Sequence, residues 1–180
     1  MESGQVHLTE VWVQTATSPL PPVQLFQLKK KKNRIIFSRT FQASIEKVFD
    51  AYTKKELFEQ WFHPKGASIE VYHFNAVEGG EAFFAIQAPN MTSYTVTEYQ
   101  KVDKPNHIEY LDYFANSKGE KDTSMPGMQI FMNFEEQNGQ TTVTSTSVFP
   151  TQEAAQQALD MGVEQGMDST LDQLDKLLKS

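Results

Sequence analysis

A chain of 180 residues carries enough apolar surface to build one domain without staples, and not enough for two. Its formal charge of −7 argues against nucleic acid as a partner, because phosphates demand a basic face. The absence of cysteine excludes disulfide and thiolate chemistry and fits a reducing, cytoplasmic setting.

The opening of the chain is expected to lie outside the main fold. Pro19, Pro21 and Pro22 interrupt any regular element in residues 1–32, although Val11-Trp12-Val13 has the composition of a short strand. Lys29 to Lys32 read as a solvated junction, with anchoring to an acidic surface as the functional alternative. No basic stretch runs into an apolar one, so neither a secretory leader nor a membrane span is expected.

Asn33 to Gln42 reads as a strand rich in Ile, Phe and Thr. Ser44 is placed to cap a helix whose apolar face is Ile45, Val48, Phe49 and Tyr52. Thr53 and Glu56 have capping-box spacing for a second short helix carrying Leu57, Phe58, Trp61 and Phe62, which Pro64 and Gly66 end.

A run of five or six strands follows. The segments are Ser68–Asn75, Ala82–Gln87, Thr92–Val102, His107–Phe114, Met128–Glu135 and Thr141–Phe149, separated by turn signals such as Gly79-Gly80, Pro105-Asn106 and Asn138-Gly139. Residues 151–178 read as one long amphipathic helix. Ala155, Leu159, Val163, Met167, Leu171, Leu174 and Leu178 share a face, with Gly162 and Gly166 beside it. Two glycines inside a helix suggest a backbone that must pass close to something.

Strand, two short helices, meander and long helix make an α+β helix-grip (START/Bet v-like) order, with a curved antiparallel sheet wrapped around the C-terminal helix. Residues 33–180 resemble the family of homologues of the heat-shock protein 90 ATPase activator, of the C-terminal-domain type, within the START-like or SRPBCC superfamily. The resemblance rests on Arg39-x-Phe41, Ser44-x-x-x-Val48-Phe49-x-Ala51-Tyr52, Leu57-x-x-x-Trp61-x-x-Pro64, Gly79-Gly80, Glu98, Gly139-x-Thr141, and Gly166-Met167 with Leu171-x-x-Leu174-x-x-Leu177. The co-chaperone's separate chaperone-binding domain, with its asparagine- and tryptophan-rich motif, has no counterpart in residues 1–32. What the resemblance implies is a fold and a pocket, not chaperone activation.

The expected function is binding of a small apolar or aromatic molecule between sheet and C-terminal helix. Trp61 has two readings, a core residue joining helix to sheet or a pocket wall that stacks on a flat ligand. Phe83, Met128, Phe131, Met161 and Met167 are candidate lining, since methionine adapts to varied apolar shapes. Glu98, Tyr99 and Tyr110 are candidates to orient the ligand, and Gly162 and Gly166 to leave room in the helix wall. Alternation alone does not say which strand face lines the cavity, because a one-residue slip exchanges the faces.

Two alternatives stand beside this reading. An enzyme in the same cavity needs a buried acid or base, and His107, Asp112, Glu98 and Tyr110 are the candidates if turned inward. A protein partner can instead dock on the C-terminal helix, where Asp160, Glu164, Asp168 and Asp172 form a carboxylate stripe expected to face water. His63, His73 and His107 lack metal-ligand spacing, and no nucleophile elbow or phosphate loop is present, so neither metal nor cofactor is expected.

Overall fold

The structure is a computed structural model, and it describes residues 11–14 and 26–180. Nine described strands form one antiparallel sheet: β1 (Val11–Gln14), β2 (Phe26–Lys31), β3 (Arg34–Phe41), β4 (Ser68–Phe74), β5 (Glu81–Ala88), β6 (Met91–Asp103), β7 (His107–Ala115), β8 (Met128–Gln137) and β9 (Gln140–Val148). Their spatial order is β1-β2-β3-β9-β8-β7-β6-β5-β4, so β4 to β9 form a meander whose last strand returns to β3. Two register shifts, at Val71/His73 and Tyr99/Lys101, bend the sheet. Asn138 (φ 55°) and Gly139 (φ 77°) take the paired positive φ angles of the expected two-residue hairpin.

The sheet begins earlier than the sequence reading places it. Phe26–Lys31 pairs along its whole length with β3, and Leu28 and Lys30 are buried. The turn between them, Lys32-Asn33, has no glycine, and Lys32 itself adopts φ 55°. A strand written as a lysine run, closed by a turn with no glycine, gives little signal.

Helices α1 (Ile45–Thr53) and α2 (Lys55–Phe58) lie over one face. The Ser44 side chain accepts a hydrogen bond from the Lys47 amide at 3.3 Å, as its spacing predicts. Glu136 on β8 adds a carboxylate at the same helix end, accepting from the Ile45 amide at 2.7 Å. The expected capping box at Thr53 does not form. The Thr53 hydroxyl donates back to the Phe49 carbonyl at 2.9 Å, and α2 starts after Lys54 with no side-chain cap.

The C-terminal helix is two helices, α3 (Gln152–Asp160) and α4 (Val163–Lys179). Met161 ends the first, and Gly162, at φ 89° and ψ 26°, turns the chain into the second. The apolar stripe survives the break. Ala155, Leu171, Leu174 and Leu178 are buried, while Leu159, Val163 and Met167 pack against the core half-buried. Gly166 has open space where a Cβ would project, so no close approach accounts for it. Periodicity sees the stripe and not the break, because one left-handed residue barely disturbs the spacing.

The acidic stripe is not wholly solvated. Buried Arg39 reaches from β3 to Asp172 at 2.7 Å and to Asp168 at 3.5 Å. Of the other two carboxylates, Asp160 is exposed as expected and Glu164 is half-buried.

Candidate functional site

The helix-facing side of the sheet is set by alternation: Phe84 on β5, Thr97 and Tyr99 on β6, Ile108, Tyr110 and Asp112 on β7, and Met132 on β8 all project toward α1 and α2. Tyr52 from α1, Phe58 from α2 and Phe62 just beyond it close the space above them. Together these ten residues line a small cavity, with about 20 Å³ open to the centres of water molecules. That is room for about one water and far below the several hundred Å³ of a ligand-filled pocket. None of the lining residues comes from α3 or α4. The cavity lies under the short helices, not between the sheet and the C-terminal helix as the sequence suggests, because α4 packs over β3 and its own leucines fill that space.

Most of the wall is aromatic. Phe58 stacks on Phe62 with centroids 4.5 Å apart, and meets Phe84 edge-on at 5.6 Å. Tyr99 and Tyr110 lie 6.0 Å apart at a tilt of 56°. The polar groups converge at one end. Asp112 accepts a hydrogen bond from the Thr97 hydroxyl at 2.6 Å, and its second oxygen has no protein partner among the described residues. Tyr110 donates only to the Met132 sulfur, at 3.7 Å, which is a weak acceptor.

Burial sets the electrostatics. Desolvation pushes the Asp112 carboxyl up to about 7, partly offset by the Thr97 hydrogen bond. Burial, with the nearby Asp112 charge second, raises Tyr99 and raises Tyr110 further. Tyr52 is also raised by burial, against a smaller opposing effect of Arg39. Near neutral pH the site therefore holds three neutral phenols and a carboxyl poised to gain or lose a proton.

The candidates from sequence divide. Tyr99 and Tyr110 line the cavity, and Met128 sits opposite Asp112 in the β7–β8 register on the same side of the sheet. Phe83, Glu98 and Phe131 project to the opposite side. Phe83 stacks on Tyr72 at 4.6 Å, Glu98 pairs with Lys121, and Phe131 lies beside Glu109 and Thr146. Trp61 is fully buried behind the cavity. Its indole Nε1 donates to the Ala51 carbonyl at 2.9 Å and its ring meets Tyr52 edge-on at 4.8 Å, so it joins helix to helix and does not face the space. Met161 is 81% exposed at the helix break, and Gly162, Gly166 and Met167 are remote from the lining.

Sequence reasoning named Asp112 only as a conditional acid or base. The signal was available in Ile108, Tyr110 and Asp112, which share one strand face, so a carboxyl stands on a face otherwise made for the core. Tyr52, Phe58, Phe62, Phe84, Ile108 and Met132 carry no such mark, since nothing in an apolar pattern separates cavity wall from core. Among the described residues there is no cluster of acidic or histidine side chains suited to a metal ion. No described helix is long and apolar enough to cross a membrane.

The family model for "Activator of Hsp90 ATPase homolog 1-like protein" matches residues 42–179. The chain belongs to this family. The fold above is that of this family of SRPBCC type, and relatives with solved structures share it. A Staphylococcus epidermidis protein solved by solution NMR is 72% identical, with TM-score 0.78 over 84% of this chain and 93% of that one. A Mycobacterium smegmatis protein solved by crystallography is 26% identical, with TM-score 0.75 over 81% and 90% of the two chains. No curated protein is significantly similar in sequence. In this activator-homologue chain the family match covers every residue that lines the cavity.

Proposed function

We propose that this protein binds a small apolar or flat aromatic molecule in the cavity under α1 and α2, holding it without chemical turnover. The observation that carries the reading is the convergence of Tyr99, Tyr110 and Asp112 on a space otherwise walled by Phe58, Phe62, Phe84, Ile108 and Met132. The apolar wall supplies about 25 cal/mol per Å² of ligand surface removed from water, and the few polar groups fix orientation. The cavity at rest is too small for a ring, so binding includes an outward movement of the wall. Phe62, half-buried and on the short segment after α2 instead of on a sheet strand, is the side chain best placed to swing.

A thermal-shift screen against flat aromatics, flavonoid-like compounds and apolar metabolites tests this. A compound at 100 times its Kd adds about 2.7 kcal/mol of stability. A binder should also lose affinity on Phe84→Ala. A screen with no shift, joined by unchanged NMR signals for Tyr99 and Tyr110, removes the proposal.

One observation favours a second reading. A carboxyl held near 7 in a cavity suits general acid–base chemistry on the same ligand. Any turnover of a confirmed ligand, lost in Asp112→Asn with binding kept, decides for the enzyme. A protein partner on the C-terminal helices has weaker support, since Asp168 and Asp172 are drawn toward Arg39.

A further inference from the structure

The cavity described above contains a negative group and no positive one. Asp112 is the single carboxyl in the lining, and no lysine, arginine or histidine joins it. The groups that face it can be named strand by strand. β6 brings Thr97 and Tyr99, β7 itself brings Tyr110, β8 brings Met128 opposite in register, and α1 brings Tyr52. Thr97 satisfies one carboxyl oxygen and leaves the other open. Arg39 acts electrostatically on Tyr52 and is already held by Asp168 and Asp172. Asp112 is half-buried, and a carboxylate partly withdrawn from water with no counter-charge beside it favours a cationic partner or a proton.

Six of the ten residues that line the cavity with that carboxyl are aromatic. Aromatic faces attract organic cations, and a ring of them with one carboxylate is the arrangement that takes an ammonium group out of water. The chain's formal charge of −7 also favours the approach of a cation over that of an anion. Resting on the reading that this cavity is the binding site, we infer that its ligand is an aromatic amine-bearing molecule, whose positively charged nitrogen pairs with Asp112 while its ring lies among Tyr99, Tyr110 and Phe84.

The ion pair needs the carboxylate, so binding of a cation expels the proton that Asp112 holds when the cavity is empty. Affinity for a permanently charged or fully protonated amine therefore rises with pH until Asp112 is ionised in the free protein, and then levels off.

The probes are 2-phenylethylamine and 2-phenylethanol, equal in size and differing in charge, titrated into the whole protein and followed by NMR. The amine is expected to bind at least about tenfold more tightly than the alcohol at about pH 8, and to lose about tenfold on going to about pH 5.5. Asp112→Asn, whose amide oxygen still accepts from Thr97, should erase the amine's advantage over the alcohol and its pH dependence. If that variant does not fold, the pH series on the unaltered protein carries the same test. Equal binding of alcohol and amine, or an amine affinity flat with pH, overturns the cation inference and leaves the aromatic-ligand reading standing. Binding of neither probe, with no hit from the neutral library, overturns both.

Discussion

Arg39 on β3 and Asp172 on α4, 133 positions apart in sequence, meet at 2.7 Å. The Arg39 side chain is 7% exposed and that of Asp172 is 56% exposed, so a buried cation is reached by a carboxylate from the solvent side. Asp168, one helical turn earlier, adds a second carboxylate at 3.5 Å, and the guanidinium also lies 5.7 Å from the Phe41 ring centre. One nitrogen, Nε, is buried without a hydrogen bond. This contact pins the final helix to β3.

Breaking the pair from the acidic side leaves that guanidinium buried. Asp168→Asn with Asp172→Asn together should cost about 3–5 kcal/mol, the range for stranding a buried charge. Asp172→Asn alone should cost about 1 kcal/mol, because Asp168 remains. Arg39→Met should cost less than the double variant, since it removes the stranded charge itself. Urea denaturation of the four proteins checks the order, and a double variant no worse than Asp172→Asn alone would refute it.

Trp61 closes the end of α1. The carbonyls of a helix's last turn lack partners within the helix, and the indole supplies one to Ala51 at 2.9 Å. Trp61→Phe leaves that carbonyl unpaired and a gap beside Tyr52, so a loss of about 2–4 kcal/mol is expected in denaturant unfolding. A loss below about 1 kcal/mol would mean that water or a neighbour replaces the indole.

The two glycines of the final helices should respond oppositely to alanine. Gly162 holds φ 89°, where an alanine Cβ meets its own backbone, so Gly162→Ala should destabilise by about 1–2 kcal/mol. Gly166 lies within α4 with nothing near its would-be Cβ, so Gly166→Ala should stabilise by about 0.5–1 kcal/mol. Thermal melts that moved both variants in one direction would contradict this assignment of the helix break.

Asp112 should make stability fall with rising pH. In the unfolded chain its carboxyl releases a proton near 3.8, whereas in the folded protein it holds it up to about 7. Between those values the folded state binds the extra proton, so acid favours folding and the advantage is lost as pH rises toward 7. Asp112→Asn, which has no proton to lose, should be more stable than the parent by roughly 2–4 kcal/mol at about pH 8 and nearly equal to it at about pH 4. Denaturation across that range measures the difference, and one that stays constant with pH would place the carboxyl in contact with water.

The element order was legible because each element carries its own period. The 3.6 spacing marks α1 and the C-terminal stripe, alternation marks the meander, and Asn138-Gly139 marks a hairpin that forms as read. β2 was not legible, since Lys29 to Lys31 look solvated until β3 is beside them. The split at Gly162 was hidden by a stripe that continues across it. These local patterns are fixed by nearest neighbours along the chain, and sequence by itself determined them, together with the family and the helix-grip fold.

The cavity depended on contacts between distant parts. Glu98 and Tyr99 are adjacent in sequence and project to opposite sides of the sheet, and only the pairing of β6 with β5 and β7 says which one faces the helices. The same pairing turned Phe83 outward and Phe84 inward. The position of α4 over β3, held by Arg39, moved the cavity from the long helix to the short ones. Asp112 became a half-buried, desolvated acid only when Thr97, Tyr99 and Tyr110 were brought around it. Its charge state is a property of that enclosure, because desolvation comes from neighbours in space and not from neighbours in sequence.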